Sequence, residues 1–248
     1  MKKFVLGSWS ISGDYGYKNT KETLKLFKYA YDKNVSEYDT APNYGRGYAE
    51  YLLGKFFKDK KNVLLNTKIG NNHNKTKSFR IKDLEKSFFK SLKNLNKINI
   101  LFLHNPRDDI NYNLVIPFLK DLKKNNLINN YGISFAKDYK YKKNELKYFS
   151  IVQTDYNLLN FKTPINLKKY TVFARSPLAS GLLAKDIDIS LLNKKDHRKL
   201  WLSEQRLKNI NLKKKVIKQN IKGTIKQNAI QFIKKNRSIN KIIFGAKN

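Results

Sequence analysis

Short apolar runs alternate along this chain with longer stretches in which apolar residues recur every three or four positions. The short runs predict strands and the longer stretches predict helices. "FVLGSW" (Phe4 to Trp9) reads as a first strand. Leu24, Phe27 and Tyr31 then fall at helical spacing, behind Asn19 as N-cap with Glu22 three residues on. "EYDTA" is a second strand, and Ala49, Leu52, Leu53 and Phe56 form the face of the helix after it. "VLLNTKIG" (Val63 to Gly70) is a third strand, followed by a stripe of Ile81, Leu84, Phe88, Leu92 and Leu95. "INILFLHNP" (Ile98 to Pro106) is a fourth, stopped by proline. A helix from Leu114 to Lys124 follows, with Pro117 tolerable in its first turn. "NYGISFA" (Asn130 to Ala136) is a fifth strand, leading into a lysine-rich helix. "SIVQTDYN" and "YTVFARSPL" are a sixth and a seventh. Asp186 to Asn220 is polar and helix-prone. Ile225, Ala229, Phe232 and Ile233 mark a last helix, and "KIIFGA" (Lys241 to Ala246) is an eighth strand.

Strands that alternate with helical segments point to parallel βαβ units. Nearly continuous apolar strands fit a sheet covered on both faces. Eight such units in 248 residues fit a (β/α)8 barrel of the TIM type better than an open doubly wound sheet. No G-x-G-x-x-G follows the first strand, which weighs against a Rossmann domain. Neither a linker nor a low-complexity segment interrupts the pattern, so a single barrel over residues 1–248 is expected.

Composition narrows the chemistry. Forty per cent of the residues are hydrophobic and 13% aromatic, enough for a core and against disorder. The absence of cysteine removes disulfide and thiolate chemistry. With three histidines, a multi-histidine metal centre is not expected. The apolar run after Met1 is too short for a signal peptide, and no window approaches the roughly 20 apolar residues of a membrane span. A cytoplasmic protein away from the membrane is expected. The net charge of +33 admits a nucleic-acid partner, because a basic surface attracts phosphate. The lysines are dispersed through every segment, however, and no nucleic-acid-binding signature accompanies them. A codon-driven bias is the better reading, and no specific nucleic-acid partner is expected.

In a barrel of this kind the chemistry gathers at the C-terminal ends of the strands. Strand two ends at Asp39 with Tyr44 just beyond, strand three at Lys68, and strand four at His104. A tyrosine phenol has a reference pKa of about 10, too high to release a proton easily. A nearby ammonium stabilises the phenolate and lowers that value. A carboxylate beside the ammonium holds it in place. An imidazole can hydrogen-bond a substrate carbonyl oxygen, and the phenol can protonate that oxygen as hydride reaches the carbon. Each residue alone has a bland reading: Asp39 as a cap, Tyr44 as one of fifteen tyrosines, Lys68 as a surface lysine, His104 as a core histidine. Their convergence on three adjacent strand ends favours the chemical one.

With these residues in view, the sequence resembles the aldo-keto reductase family. "YDTAPNYGRGYAEYLLGK" is similar to that family's Asp-Thr-Ala…Tyr-Gly…Glu signature, "NTKIG" to its lysine strand and "LFLHNP" to its histidine strand. "YGISF", "VQTDYNLLN", "ARSPLASGLL" and "KIIFGAKN" resemble its later cofactor-binding strands, in order. The resemblance implies an NAD(P)H-dependent reductase of aldehydes or ketones, with NADPH the usual cofactor and NADH possible. Asp39, Tyr44, Lys68 and His104 then form the catalytic set. Ser134 and Gln153 would bind the nicotinamide carboxamide. Arg175 would stack on the ring where many members carry an aromatic residue. Ser176, Leu178, Ser180 and Gly181 match the loop around the pyrophosphate, and Lys247 a position that can contact a 2′-phosphate. Phe135 replaces a common asparagine, which loosens the amide grip. The family's usual helix after strand eight is not expected here, because the sequence stops at "GAKN", and binding is expected to rest on the nicotinamide and pyrophosphate ends. The partner implied is a small carbonyl compound, with Tyr15, Tyr17, Asn105 and Arg107 as pocket residues by position. A cofactor-binding or regulatory barrel with weak or no turnover is the alternative.

Overall fold

The computed structural model describes residues 3–16, 18–107, 110–135, 143–161 and 166–246. Eight parallel strands close into a barrel in sequence order: β1 Lys3–Gly7, β2 Glu37–Asp39, β3 Leu64–Ile69, β4 Ile100–His104, β5 Asn130–Ser134, β6 Ile151–Asp155, β7 Thr171–Arg175 and β8 Lys241–Gly245. Closure is made by β8 against β1, in register from Lys3 beside Lys241 to Gly7 beside Gly245. The helices are α1 Thr20–Asp32, α2 Tyr48–Phe57, α3 Ile81–Leu95, α4 Tyr112–Lys124, the single turn α5 Lys143–Leu146, α6 Glu204–Gln219 and α7 Ile225–Lys235. No helix follows β8 among the described residues. None of the described helices is long and apolar enough to cross a membrane.

Side chains alternate across each strand, so every strand divides its residues between the barrel interior and the helical shell. Val5, Ile100, Phe102, Ile151, Phe173 and Ile243 fill one side of the interior, where the Phe102 and Phe173 rings meet edge to face at 5.6 Å. Strands β2 and β3 fill the other side with polar groups. Glu37 and Asp39 point inward while Tyr38 between them packs outward against Phe27 and Phe57. The larger core lies between barrel and helices, built from Phe27, Leu53, Leu84, Phe88, Leu119 and their neighbours.

Local signals place most elements. The Asn19 side chain accepts a hydrogen bond from the Glu22 amide and starts α1, as expected. Thr224 and Gln227 form a capping box at the start of α7. Several readings differ from expectation. The first strand ends at Gly7, and Trp9 opens a short 3₁₀ turn instead. Phe57, not Phe56, is the fully buried ring on α2, because it faces Tyr38 on the sheet. Helix α4 starts at Tyr112, capped by Asn111, so Pro117 lies in its second turn and removes one backbone hydrogen bond there. The stretch 186–203 holds only a 3₁₀ turn at His197–Leu200, and α-helix begins after Ser203, whose hydroxyl caps α6. Of the lysine-rich helix expected after β5, the described residues hold only α5. Ala136, Tyr17 and Lys247 lie outside the described residues.

Candidate active site

The turn after β2 delivers Tyr44 to the C-terminal rim. Three consecutive residues behind it adopt left-handed backbone: Gly45 (φ 59°), Arg46 (φ 58°) and Gly47 (φ 92°). A Cβ on Gly45 would lie 2.4 Å from the Ser12 carbonyl oxygen, so the turn admits only glycine there. Arg46 holds the same conformation with a side chain, at a cost of about 1 kcal/mol. The Tyr44 ring is buried against Trp9, edge to face with centroids 4.7 Å apart.

Lys68 enters from β3, which spans Leu64–Ile69 and so falls one residue short at each end of the Val63–Gly70 run read from the sequence. Its side chain is fully buried. The ammonium donates to Asp39 Oδ2 at 2.6 Å, to the Thr40 carbonyl at 2.6 Å and to the Tyr44 hydroxyl at 3.3 Å. Three N–H donors thus meet three acceptors, which is how a buried ammonium is tolerated. The other oxygen of Asp39 accepts from Gln153 Nε2 at 2.8 Å, and Gln153 Oε1 accepts from the Ser134 hydroxyl at 3.0 Å. A chain of contacts therefore runs from β5 through β6, β2 and β3 to the phenol.

His104, at the end of β4, faces Tyr44 with ring centroids 6.3 Å apart. Burial pushes its pKa well below the ordinary 6.5, and the charges of Lys68, Arg175 and Lys77 push in the same direction. The imidazole is neutral at pH 7, with one N–H donor and one acceptor nitrogen. Its Nδ1 is buried without a hydrogen-bond partner.

A cavity of about 650 Å³ opens above these groups. Of the candidate site residues, Asp39, Tyr44, His104, Arg175, Ser176, Leu178, Ser180 and Gly181 line it. Arg175 Nε and, on a further lining residue, Asn43 Oδ1 are also buried without partners. Orphaned polar atoms are rare in protein interiors, and their collection here marks a place for a polar guest. Arg175 is braced by the Phe135 carbonyl, to which it donates, and by Asp155 Oδ2 at 3.2 Å. Beyond it Ser176, Ala179, Ser180 and Gly181 all have positive φ and fold the loop back over the cavity.

Ser134 and Gln153 do not line the cavity; both are fully buried and bonded behind it. Tyr15 lines it, while Arg107 lines a larger cavity of about 950 Å³ between the β3–α3 and β4–α4 connections, together with Lys77 and Arg80. Asn105 follows β4 in left-handed conformation and lines neither. The structure adds Trp9, Lys185, His197 and Arg198 to the cavity wall. His197 packs edge-on against Trp9 at 5.2 Å and against Tyr15 at 4.6 Å. Arg198 is held by Asp196 at 2.7 Å and donates to the Ser180 carbonyl at 3.3 Å. Their segment carries no linear signal. Only its return across the rim brings it to the site.

An eight-stranded parallel barrel with a buried lysine, carboxylate, phenol and neutral imidazole at its C-terminal rim defines a class of rim-site α/β barrel. Comparison with known proteins narrows it. The family model described as "Aldo/keto reductase family" matches residues 3–248, and the chain belongs to that family. It is 24% identical over 209 residues to a candidate voltage-gated potassium channel beta subunit of Schizosaccharomyces pombe. That match spans 73% of this chain and 59% of the yeast protein. Among solved structures, the glycerol dehydrogenase AKR11B4 of Gluconobacter oxydans is similar with a TM-score of 0.78 and 19% identity, covering 98% of this chain and 82% of that one. The holo form of the aldo-keto reductase AKR11C1 of Bacillus halodurans is similar with a TM-score of 0.75 and 18% identity, over 98% and 82% of the two chains.

Proposed function

We propose that this protein is an NAD(P)H-dependent oxidoreductase that reduces an aldehyde or ketone to the alcohol, with NADPH as cofactor and NADH as the alternative. One observation carries the reading. The Lys68 ammonium is clasped by Asp39, Thr40 and the Tyr44 hydroxyl beside a neutral, buried His104.

When bound, the reduced nicotinamide supplies hydride to the carbonyl carbon. The chain's own groups do the rest. Arg175 offers a guanidinium plane for stacking, and the backbone from Ser176 to Gly181, with Lys185 nearby, suits a pyrophosphate. Contact from Ser134 or Gln153 to the carboxamide requires their mutual hydrogen bond to open toward the cavity. His104, being neutral, donates its N–H to the carbonyl oxygen and orients it. Tyr44 releases its proton to that same oxygen as the alkoxide forms. Lys68 stabilises the phenolate left behind, Asp39 keeps Lys68 in place, and Gln153 keeps Asp39 in place.

The test follows oxidation of NADPH and of NADH against a panel of aldehydes, ketones and sugars. Turnover that disappears in Tyr44→Phe while the cofactor still binds supports the reading. Cofactor binding with no turnover of any carbonyl overturns it. That outcome leaves the second reading, a cofactor-binding barrel with weak or no turnover, which the similarity to a candidate channel subunit favours.

A further inference from the structure

We propose that Asp14, outside the cavity, is the positioning residue that holds the Tyr44 turn in its active shape and ties it to the segment closing over the cavity. The proposal rests on the reading of Tyr44 as proton donor.

The Tyr44 turn supplies few of its own contacts. The Tyr44 amide donates to the Ala41 carbonyl at 3.1 Å and the Arg46 amide to Asn43 at a long 3.4 Å. The Gly45 amide, between them, finds its acceptor in another loop, at Asp14 Oδ2, 3.3 Å away. This turn has three left-handed residues in succession, so an outside acceptor is what keeps its middle peptide facing inward. The Asp14 carboxylate is itself fixed. The Ser12 hydroxyl lies 2.6 Å from Oδ2, and Lys75 Nζ donates to Oδ1 at 2.6 Å. Its side chain is only 10% exposed.

The Asp14 backbone makes the second link. Its carbonyl accepts from the His197 amide at 2.8 Å and lies 3.3 Å from His197 Nδ1. The His197 ring rests on Trp9, and Trp9 rests on Tyr44. Two routes therefore connect the segment around His197 to the phenol: one through Asp14 to Gly45, one through Trp9. Asp14 joins four connections: those after β1, β2 and β3, and the one between β7 and α6. It does not line the cavity, so its part is placement and not contact with substrate.

The protein has two tryptophans, Trp9 and Trp201. In a Trp201→Phe background, Trp9 emission reports directly on the ring that packs against Tyr44. The experiment compares Asp14→Ala, Asp14→Asn and Lys75→Ala in that background. Asp14→Ala is expected to lower kcat by about ten- to a hundredfold, the scale of a misplaced catalytic group, with cofactor affinity changed less than about threefold. Its Trp9 emission should shift to the red and its quenching by acrylamide should about double, as a ring released toward water would show. Asp14→Asn keeps an acceptor for the Gly45 amide and should restore both readouts. Lys75→Ala keeps the carboxylate and should leave both near the parent value. A folded Asp14→Ala protein with unchanged Trp9 quenching overturns the proposal. So does a parallel fall of kcat, cofactor affinity and melting temperature that Asp14→Asn fails to rescue, since that is a merely structural loss. If the parent reduces no carbonyl, the reading of Tyr44 as proton donor fails, and Trp9 quenching alone decides whether Asp14 holds the turn.

Discussion

Among the described residues the barrel interior holds two lysine–carboxylate pairs, one at each end, and both use β2. Near the C-terminal rim Lys68 of β3 meets Asp39. At the opposite end Lys241 of β8 meets Glu37, two residues earlier on the same strand. Glu37 and Asp39 share the inward face because the strand period is two. Their surroundings differ. Glu37 Oε1 accepts from Asn66 at 2.9 Å, Asn66 accepts from Asn99 at 2.9 Å, and Asn99 from Asn129 at 3.1 Å. That chain of amides satisfies itself across neighbouring strands, and its members line neither of the two cavities described above. The chain at the rim ends on the Tyr44 hydroxyl, beside an imidazole nitrogen left without a partner and open space for a ligand. The two pairs thus differ in whether their neighbours close the network or leave it open, and the proposed chemistry falls to the open one.

The largest expected effect lies at the open end. Tyr44→Phe keeps the ring against Trp9 and removes the hydroxyl proposed as proton donor, so carbonyl reduction should fall by about 10²–10⁴-fold. Cofactor titration and thermal unfolding should stay near the parent, and a Phe variant with near-normal turnover would reassign the acid.

The two lysines separate the ends directly. Lys68→Met leaves Asp39 buried without its cation and should cost about 3–5 kcal/mol of stability as well as turnover. Lys241 is 20% exposed, so Glu37 keeps some access to water when its partner is lost. Lys241→Met should cost about 1–3 kcal/mol and leave kcat/KM within a few-fold. Denaturant unfolding and steady-state kinetics on both variants check this. Equal loss of turnover in the two, with both folded, would erase the distinction between the ends.

A smaller effect is expected with pH. His104 has its folded pKa held below 6.5, chiefly by burial, and so does His197. Below 6.5 the unfolded chain takes up protons that the folded chain refuses. Stability is therefore complete above pH 6.5 and declines as pH falls toward the folded values. His104→Gln should flatten that decline, leaving the share that belongs to His197, whereas Lys241→Met should leave its slope as in the parent. Unfolding curves across the acid range would show whether the pH sensitivity belongs to the rim.

What the sequence by itself determined is local. Apolar spacing decides which face of most segments is buried, Asn19 marks the start of α1, and β2, β3 and β4 carry Asp39, Lys68 and His104 to one rim. Those readings hold because side-chain direction repeats with period two in strands and about 3.6 in helices, whatever the rest of the chain does. Tertiary structure decided the rest. Gln153 reaches Asp39 across 114 positions, Lys241 reaches Glu37 across 204, and His197 returns across 183 to the Asp14 carbonyl. Phe57 is buried ahead of Phe56 because of what stands opposite, and 186–203 forms no α-helix but folds across the rim. Such pairings arise only when the barrel closes and sets its loops side by side. A loop has no period to reveal where it points, so its partners are fixed by the strands that carry it.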